Sequence, residues 1–262
     1  MSTQDSEDIL VRERNGNVLV ARLNRPKARN ALTPELMSAL GQALLDAEND
    51  PDLRAVVVTG SGDRVFCPGM DLRAFSRGEQ TVLGADEGRA AYQRFLDGGS
   101  TVPVVGAANG TALGGGMELL LACDVVVASA AATFGFPEVK RGLFPAGGGA
   151  ALGTRIPLAT ALELVLTGDA VDAARARQIG LVNSVVDADQ VLPAALELAG
   201  RIAANAPLGL AAAKELVRLT ITDPERAAAR QQELQHRVFT SEDAKEGAVA
   251  FMEKRAPVWR GC

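Results

Sequence analysis

Short apolar segments, glycine-rich turns and helical patterns alternate along this chain up to about residue 190, and helical patterns dominate after it. Residues 55–59 and 102–107 are continuous apolar runs, which are typical of strands buried on both faces of a parallel sheet. Glycine turns separate several strand–turn–helix units, although no fixed sequence period is visible. The alternation predicts an α/β fold built from repeated ββα units and followed by a helical C-terminal part.

Local signals define the ends of several elements. The dipeptide Asn15-Gly16 joins two β-rich segments and is typical of a hairpin turn. Thr33 and Pro34 suit the N-cap and the first position of a helix, whose apolar residues recur at helical spacing. Further helices are predicted at residues 87–96, 118–122, 150–167 (interrupted near Pro157), 170–179, 191–204, 208–219, 224–239 and 241–255.

The composition disfavours several classes of protein. With 262 residues, 47% of them hydrophobic, the chain can form one large domain with a substantial core. The net charge of −5 argues against a nucleic-acid or membrane-surface partner. Cys67, Cys123 and Cys262 lack metal-site spacing, and their odd number predicts reduced thiols in a cytoplasmic protein. A single histidine, His236, disfavours a histidine-based metal site or a Ser–His–Asp triad.

The stretch 108–118 contains the strongest candidate for a functional site. Three consecutive glycines at positions 114–116 follow an apolar strand and precede Glu118. Bare backbone lets amide groups face a ligand here, and Glu118 would lie near the positive end of the following helix. The same residues also fit a tight turn followed by an ordinary charge in a first helical turn. From these residues alone, both interpretations stay open.

Five separated blocks and the C-terminal tail form a pattern that spans nearly the whole chain. The blocks are Leu-Asn-Arg-Pro-Lys-Ala-Arg-Asn-Ala-Leu at 23–32, Phe-Cys-Pro-Gly-Met-Asp-Leu at 66–72, the glycine stretch at 109–118, Phe-Gly-Phe-Pro-Glu at 134–138 and Leu-Thr-Gly-Asp at 166–169, and the tail is 241–255. No block is decisive alone, but together and in this order they are specific. The pattern resembles the crotonase superfamily, also called the enoyl-CoA hydratase/isomerase family.

The resemblance implies a crotonase-like ββα spiral core and a helical C-terminal region through which subunits trimerise. Residues 1–195 would form the core with the acyl-CoA site, and residues 196–262 would form the helical region. The assembly would be a homotrimer or a dimer of trimers, with no nucleic-acid or membrane partner.

The same resemblance implies an enzyme of fatty acid metabolism that acts on a coenzyme A (CoA) thioester. The backbone N–H groups of Met70 and Gly115 would form an oxyanion hole for the thioester oxygen. Glu118 would take a proton from water as the water attacks C3, and Glu138 would supply a proton to C2. The predicted activity is the reversible hydration of a 2-enoyl-CoA. The alternatives are another crotonase reaction, such as enoyl-CoA isomerisation, and acyl-CoA binding without catalysis.

CoA would enter as part of the substrate, with no separate cofactor and no metal ion. The resemblance places it against Lys27, Ala28, Arg29, Gly69, Asp71, Leu72 and Gly114, and against Phe251 and Lys254 of a neighbouring subunit's last helix. Lys27 and Arg29 equally fit the alternative of ordinary solvated charges on a loop.

Three further residues bear on the predicted site or could be mistaken for part of it. Pro68 departs from the small residue common in the family, but it precedes the predicted donor Met70 by two residues, so its ring affects only the shape of the acyl pocket. Cys67 is disfavoured as a nucleophile because no nearby histidine would activate it. His236 is predicted to lie at the surface or at an interface.

Overall fold

The structure, a computed structural model, describes residues 8–71 and 86–262. Its strands are β1 (Leu10–Asn15), β2 (Val18–Leu23), β3 (Ala55–Gly60), β4 (Val65–Cys67), β5 (Val104–Ala108), β6 (Thr111–Leu113), β7 (Val125–Ser129), β8 (Thr133–Gly135), β9 (Val171–Asp172) and β10 (Ser184–Val186). Its helices are α1 (Pro34–Asn49), α2 (Glu87–Leu96), α3 (Gly115–Ala122), α4 (Leu152–Arg155), α5 (Leu158–Thr167), α6 (Ala173–Gln178), α7 (Val191–Ala203), α8 (Pro207–Thr222), α9 (Pro224–Phe239) and α10 (Glu242–Glu253). Short 3-10 turns lie at Pro26–Ala28, Pro137–Arg141, Gly149–Ala151 and Ala188–Gln190.

Two sheets run through the core, one with the order β1-β2-β3-β5-β7-β10 and one with the order β4-β6-β8-β9. From β3 to β8, consecutive strands alternate between the sheets. In the first sheet β3, β5 and β7 lie side by side and parallel, and in the second β4, β6 and β8 do the same. Since a helical segment follows each such strand pair, the chain advances as a spiral of ββα turns. The α/β class and the repeated units are therefore confirmed.

The local signals at the start of the chain act as predicted. The turn at Asn15-Gly16, where Gly16 has φ 57°, joins β1 and β2 into an antiparallel hairpin. Thr33 caps α1 by accepting a hydrogen bond from Leu36 N at 3.4 Å, and Pro34 occupies the first helical position. Leu36 and Leu40 of this helix are fully buried in the core.

Two predicted boundaries are wrong. Helix α3 begins at Gly115 rather than near Met117, because Gly114 adopts φ 54° and ψ −127° and its carbonyl accepts from the amides of Met117 and Glu118. The predicted helix at 170–179 instead begins with β9, which pairs antiparallel with β8. Asp172 then caps α6 by accepting from Arg175 N at 2.7 Å.

Helix α3 is the buried centre of the molecule. Leu119 and Leu120 are inaccessible to solvent, and Met117 is nearly so. A helix that is apolar on every side must be enclosed by protein, and here both sheets and neighbouring helices surround it. Its first turn, which carries Gly115 and Glu118, is therefore held rigidly.

Helix α7 packs across the other face of the large sheet, where Ala195 and Ala199 contact β3, β5 and β7. The predicted division at 195/196 falls within this helix. The division into a core and a C-terminal region stays a prediction.

A partly buried charge cluster joins the C-terminal helices to the end of α3. Asp124 accepts from Lys214 Nζ at 2.8 Å and from Arg218 Nη2 at 2.9 Å, and both cations belong to α8. Arg218 also donates to the carbonyl of Ala122, the last residue of α3. Arg155 donates to the carbonyls of Cys123 and Asp124. The cluster caps the C-terminal end of α3, where a cation is favoured by the helix dipole.

Replacing Asp124 by asparagine is expected to lower the free energy of unfolding by about 3 kcal/mol, because it leaves buried Lys214 without its counterion. Denaturant unfolding measures the change. Asp169→Asn is the matched control, since its partner Lys140 is exposed and a surface ion pair contributes about 1 kcal/mol or less. Equal effects of the two substitutions would show that the cluster has no special role in stability.

Candidate active site

The loop after β4 makes a tight bend at Gly69, which has φ 92°. Leu32 N donates to the carbonyl of Gly69 at 2.9 Å, and Asp71 N donates to the carbonyl of Leu32 at 3.1 Å. These bonds fix the backbone on both sides of Met70. Within residues 8–71 and 86–262, the Met70 amide itself has no hydrogen-bond partner.

The start of α3 lies against this bend. A Cβ atom on Gly69 would lie 2.9 Å from Gly115 N, and a Cβ atom on Gly115 would lie 3.7 Å from Met70 N. Gly115 is the first residue of α3, so its amide has no acceptor inside the helix, and it has none elsewhere in the described part of the chain. The structure therefore brings the two predicted donors close together, with the Leu32 side chain beside Gly115.

Glu118 is buried, with 7% of its surface exposed, and its carboxylate is held by backbone amides. Oε1 accepts from Gly147 N at 2.7 Å and from Gly149 N at 3.0 Å. A Cβ atom on Gly147 would come within 2.6 Å of Oε2, so this position accommodates the carboxylate only as glycine. Two fixed donors on one oxygen set the direction of the side chain.

Glu138 lies on the other side of the glycine run, in the 3-10 turn Pro137–Arg141. Its Oε1 would lie 3.0 Å from a Cβ atom on Gly114, so this carboxylate packs against the N-cap of α3. Its Oε2 is buried and has no hydrogen-bond partner among the described residues. A buried oxygen left without a partner is costly unless a ligand or water completes it.

Burial raises the pKa of both carboxyl groups above the ordinary glutamate value. For Glu118, the amides of Gly149 and Gly147 oppose the rise, and the charge of Glu138 adds to it. For Glu138, its own backbone amide and Arg141 oppose the rise. Two carboxyl groups of raised pKa beside unpaired amides form a site that can move protons near an oxyanion.

Known proteins share this sequence pattern over almost the whole chain. The sequence profile of the family described as Enoyl-CoA hydratase/isomerase matches residues 13–262. The enoyl-CoA hydratase EchA19 of Mycobacterium tuberculosis is 41% identical over 98% of this chain and 98% of its own length. The chain belongs to the enoyl-CoA hydratase/isomerase family, the crotonase superfamily. The carnitinyl-CoA dehydratase of Salmonella typhi is 41% identical as well, over 95% of this chain and 97% of its own length.

Solved structures of crotonase-superfamily proteins confirm the fold. An enoyl-CoA hydratase from Mycobacterium tuberculosis superposes with a TM-score of 0.89 at 42% identity, covering 98% of this chain and 100% of that one. A carnitinyl-CoA hydratase from Mycobacterium avium superposes with a TM-score of 0.77 at 43% identity and the same coverage.

The loop that the crotonase resemblance assigns to CoA is hydrogen-bonded to the strand that leads to the bend at Gly69. Lys27 and Ala28 form the 3-10 turn Pro26–Ala28, and Arg29 follows with φ 54°. The buried Asn30 side chain then donates to the carbonyls of Val65 and Phe66 in β4 and to that of Ser61 in the preceding turn. The loop thus keeps a fixed position relative to the strand that leads to Gly69.

The other predicted CoA contacts fall into three groups. Gly69 and Gly114 line the site itself, and the carboxylate of Asp71 lies 3.6 Å from Arg25 Nη2. Leu72 lies outside the described residues. Phe251 and Lys254 belong to the end of α10, and Phe251 is 86% exposed. In the described part of the chain, no hydrogen bond or ion pair links either of these two to the carboxylates, so a role at a neighbouring subunit stays a prediction.

Cys67 and His236 lie as the sequence predicted. Cys67 is completely buried at the end of β4, and burial raises the pKa of its thiol to about 12, so it stays protonated and unreactive. His236 is exposed on α9. None of the helices in the described ranges has the length and hydropathy needed to cross a bilayer.

Sequence reasoning missed the residues that hold the site in shape. Gly147 and Gly149 orient Glu118 through their amides, and Asn30 fixes the CoA loop. The glycine-rich stretch 142–149 was the available signal for the first two, because bare backbone near a carboxylate is a source of donors.

Proposed function

We propose that this crotonase-superfamily chain catalyses the reversible hydration of a 2-enoyl-CoA thioester. One observation supports the proposal most: two amides without partners among the described residues and two carboxyl groups of raised pKa, buried Glu118 and partly buried Glu138, converge on the glycine run at the start of α3. A site that only binds acyl-CoA needs the amides but has no need of the carboxyl pair.

In the proposed reaction the thioester oxygen accepts hydrogen bonds from Met70 N and Gly115 N, which stabilise the charge that develops on it. Glu118 takes one proton from water while the water oxygen forms a bond to C3. Glu138, protonated beforehand, gives its proton to C2. The two π electrons of the double bond form the new C2–H bond, and the two carboxyl groups exchange their protonation states until solvent restores them. Elimination of water follows the same steps in reverse.

Dehydration and isomerisation are the two alternative reactions, and each can be compared with hydration. Relatives are named both hydratase and dehydratase, so either direction fits the family. An isomerase would move a proton between C2 and C4 of a 3-enoyl-CoA and would need only one of the two carboxyl groups. The buried, partnerless Oε2 of Glu138 favours a reaction in which both take part.

We further propose that the loop Lys27–Ala28–Arg29 contacts CoA and that the chain assembles as a homotrimer or a dimer of trimers. Fixed geometry between this loop and the oxyanion bend supports the first proposal. Exposed apolar side chains support the second, since surfaces of this kind are characteristic of protein interfaces. Among the described residues, the most exposed large apolar side chains are Phe144, Leu166, Phe239, Phe251 and Met252. A cytoplasmic location stays a prediction.

The purified protein is expected to add water to crotonyl-CoA, and the loss of enoyl-thioester absorbance together with mass spectrometry of a 3-hydroxyacyl product would establish the reaction. A panel of 2-enoyl, 3-enoyl and 3-hydroxyacyl thioesters distinguishes hydration, isomerisation and dehydration. Tight CoA-thioester binding with no turnover on this panel would instead support a binding protein.

The acid limb of the profile of kcat/KM against pH is expected above the ordinary glutamate pKa of about 4.5, because the carboxylate form of Glu118 is needed and burial raises its pKa. Activity is lost as the pH falls through that raised value. The alkaline limb reports Glu138, which must be protonated. Steady-state rates across pH, with circular dichroism at each pH as the control for folding, measure both limbs. An acid limb at or below the ordinary value contradicts the assignment.

A further inference from the structure

One buried arginine takes no part in the steps proposed for hydration. Arg89 lies in the first turn of α2 and is 3% exposed. Its Nε and Nη2 atoms are both buried, and neither has a hydrogen-bond partner in the part of the chain that the structure describes. A guanidinium group stays protonated in proteins, so a full positive charge is buried here with unused donors.

Helix packing brings the helix of Arg89 close to the proposed active site. Gly88 and Tyr92 pack against α1, where a Cβ atom on Gly41 would lie 1.8 Å from Gly88 O and 2.6 Å from Tyr92 N. Arg89 precedes Tyr92 by three residues, so the two side chains are neighbours on one helical surface. Helix α2 also contacts α3, the helix that carries Glu118.

The environment of Tyr92 connects the two groups. The hydroxyl of Tyr92 is buried, which raises its pKa, and the charge of Glu118 raises it further while the charge of Arg89 lowers it. Tyr92 is 3% exposed and belongs to the same core cluster as Met117 and Leu119, the residues on either side of Glu118.

The two nearby acids that the structure describes, Asp86 and Glu35, do not pair with this guanidinium. Asp86 accepts from Arg89 N at 2.8 Å and from Ser38 Oγ at 2.6 Å, so it caps the helix instead of contacting the guanidinium. The charge of Arg89 is one of the smaller causes that lower the pKa of Glu35, after hydrogen bonds to its own backbone and to Thr33. Glu35 is exposed, however, and forms no ion pair with Arg89 in the described ranges. An isolated buried charge is unfavourable unless an anion completes it.

We propose that Arg89 is a specificity-determining residue that binds a carboxylate at the far end of the acyl chain, so that the preferred substrate is an ω-carboxy-2-enoyl-CoA. The inference rests on the hydratase function proposed above. A carboxylate can accept two parallel hydrogen bonds from a guanidinium, which matches the two unused donors. The same charge repels a quaternary ammonium group such as that of the carnitinyl chain. Carnitinyl-CoA is the substrate in the name of one relative.

The first test compares each acid with the methyl-terminated thioester of equal carbon number. The pairs are 2-hexenedioyl-CoA with 2-hexenoyl-CoA, and 2-octenedioyl-CoA with 2-octenoyl-CoA. The wild-type protein is expected to have a higher kcat/KM for the acid in at least one pair. In Arg89→Leu the ratio of kcat/KM for the acid to kcat/KM for the methyl-terminated thioester is expected to fall roughly 10- to 100-fold. This is the usual effect of losing a hydrogen bond to a charged group.

Arg94→Leu is the matched control, since Arg94 is the other arginine of α2 and already pairs with Glu48. It is expected to keep the wild-type ratio. If Arg89→Leu does not fold, Arg89→Gln replaces it and is expected to lower the ratio as well. A ratio that stays the same in the Arg89 variant, or a wild-type preference for the methyl-terminated substrates, overturns the proposal.

A binding measurement separates this proposal from the proposed function. Calorimetry with the non-reacting thioesters adipoyl-CoA and hexanoyl-CoA is expected to show tighter binding of the acid by the wild-type protein and loss of that preference in Arg89→Leu. A binding preference without any hydration would refute the hydratase function and keep the carboxylate site. Hydration without any preference would keep the function and refute the site.

Discussion

Glu118→Gln is expected to lower kcat for the hydration of crotonyl-CoA by roughly 10³-fold, within the range for loss of a general base. The glutamine carbonyl oxygen can still accept from Gly147 N and Gly149 N, so the side chain keeps its place. What it loses is the ability to take a proton from water. The fall should therefore appear in kcat, with a smaller change in the affinity for a non-reacting acyl-CoA.

Glu138→Gln is expected to give a fall of similar size, about 10²- to 10⁴-fold, because glutamine cannot supply the proton to C2. Steady-state rates and thermal unfolding of each variant separate chemistry from folding. Glu197→Gln, which alters an exposed carboxylate on α7, is the control and should match the wild-type protein. Undiminished turnover in either active-site variant would refute the two-carboxylate mechanism.

Gly69→Ala is expected to lower kcat by about 10²- to 10³-fold, the loss typical of removing one oxyanion donor. The new methyl group would lie 2.9 Å from Gly115 N and would occupy the space proposed for the thioester oxygen. The variant also forces alanine to adopt φ 92°, which adds strain to the fold.

The effect of that strain can be measured separately. Gly62 has φ 86° in the turn between β3 and β4, and a Cβ atom there would meet nothing within 4 Å. Gly62→Ala should therefore reproduce the backbone strain without blocking the site, and it should keep its activity. If both variants lose activity equally, strain in this region explains the loss and the oxyanion assignment fails. Rates and unfolding free energies of the two variants give the answer.

Much of this architecture could be predicted from sequence because it depends on local patterns. The apolar runs at 55–59 and 102–107 correspond to β3 and β5, and the Thr33-Pro34 signal marks the first residue of α1. Glu118 was recognisable because it follows three glycines. The start of α3 was misplaced because glycine is a poor helix former, and only the bond from Glu118 N to Gly114 O shows that the helix includes Gly115.

The remainder depends on contacts between distant parts of the chain. Gly147 and Gly149 bind Glu118 through backbone amides, which every non-proline residue possesses. The glycine-rich stretch therefore indicates available donors but does not show which carboxylate they bind. Arg89 lies in a polar stretch that reads as a surface segment, and only the packing of α2 shows that its charge is buried. Such contacts are set by tertiary structure, so no periodic pattern in the sequence indicates them.

The single side chain of Asn30 has a thermodynamic consequence for the site. Because it bonds to Ser61, Val65 and Phe66, the loop proposed to bind CoA and the strand leading to the oxyanion bend form one rigid unit. Little conformational entropy then has to be lost when a thioester held at the loop brings its carbonyl to the bend. Binding energy from the nucleotide end, far from the reacting carbons, can in this way lower the activation barrier instead of only tightening the ground-state complex.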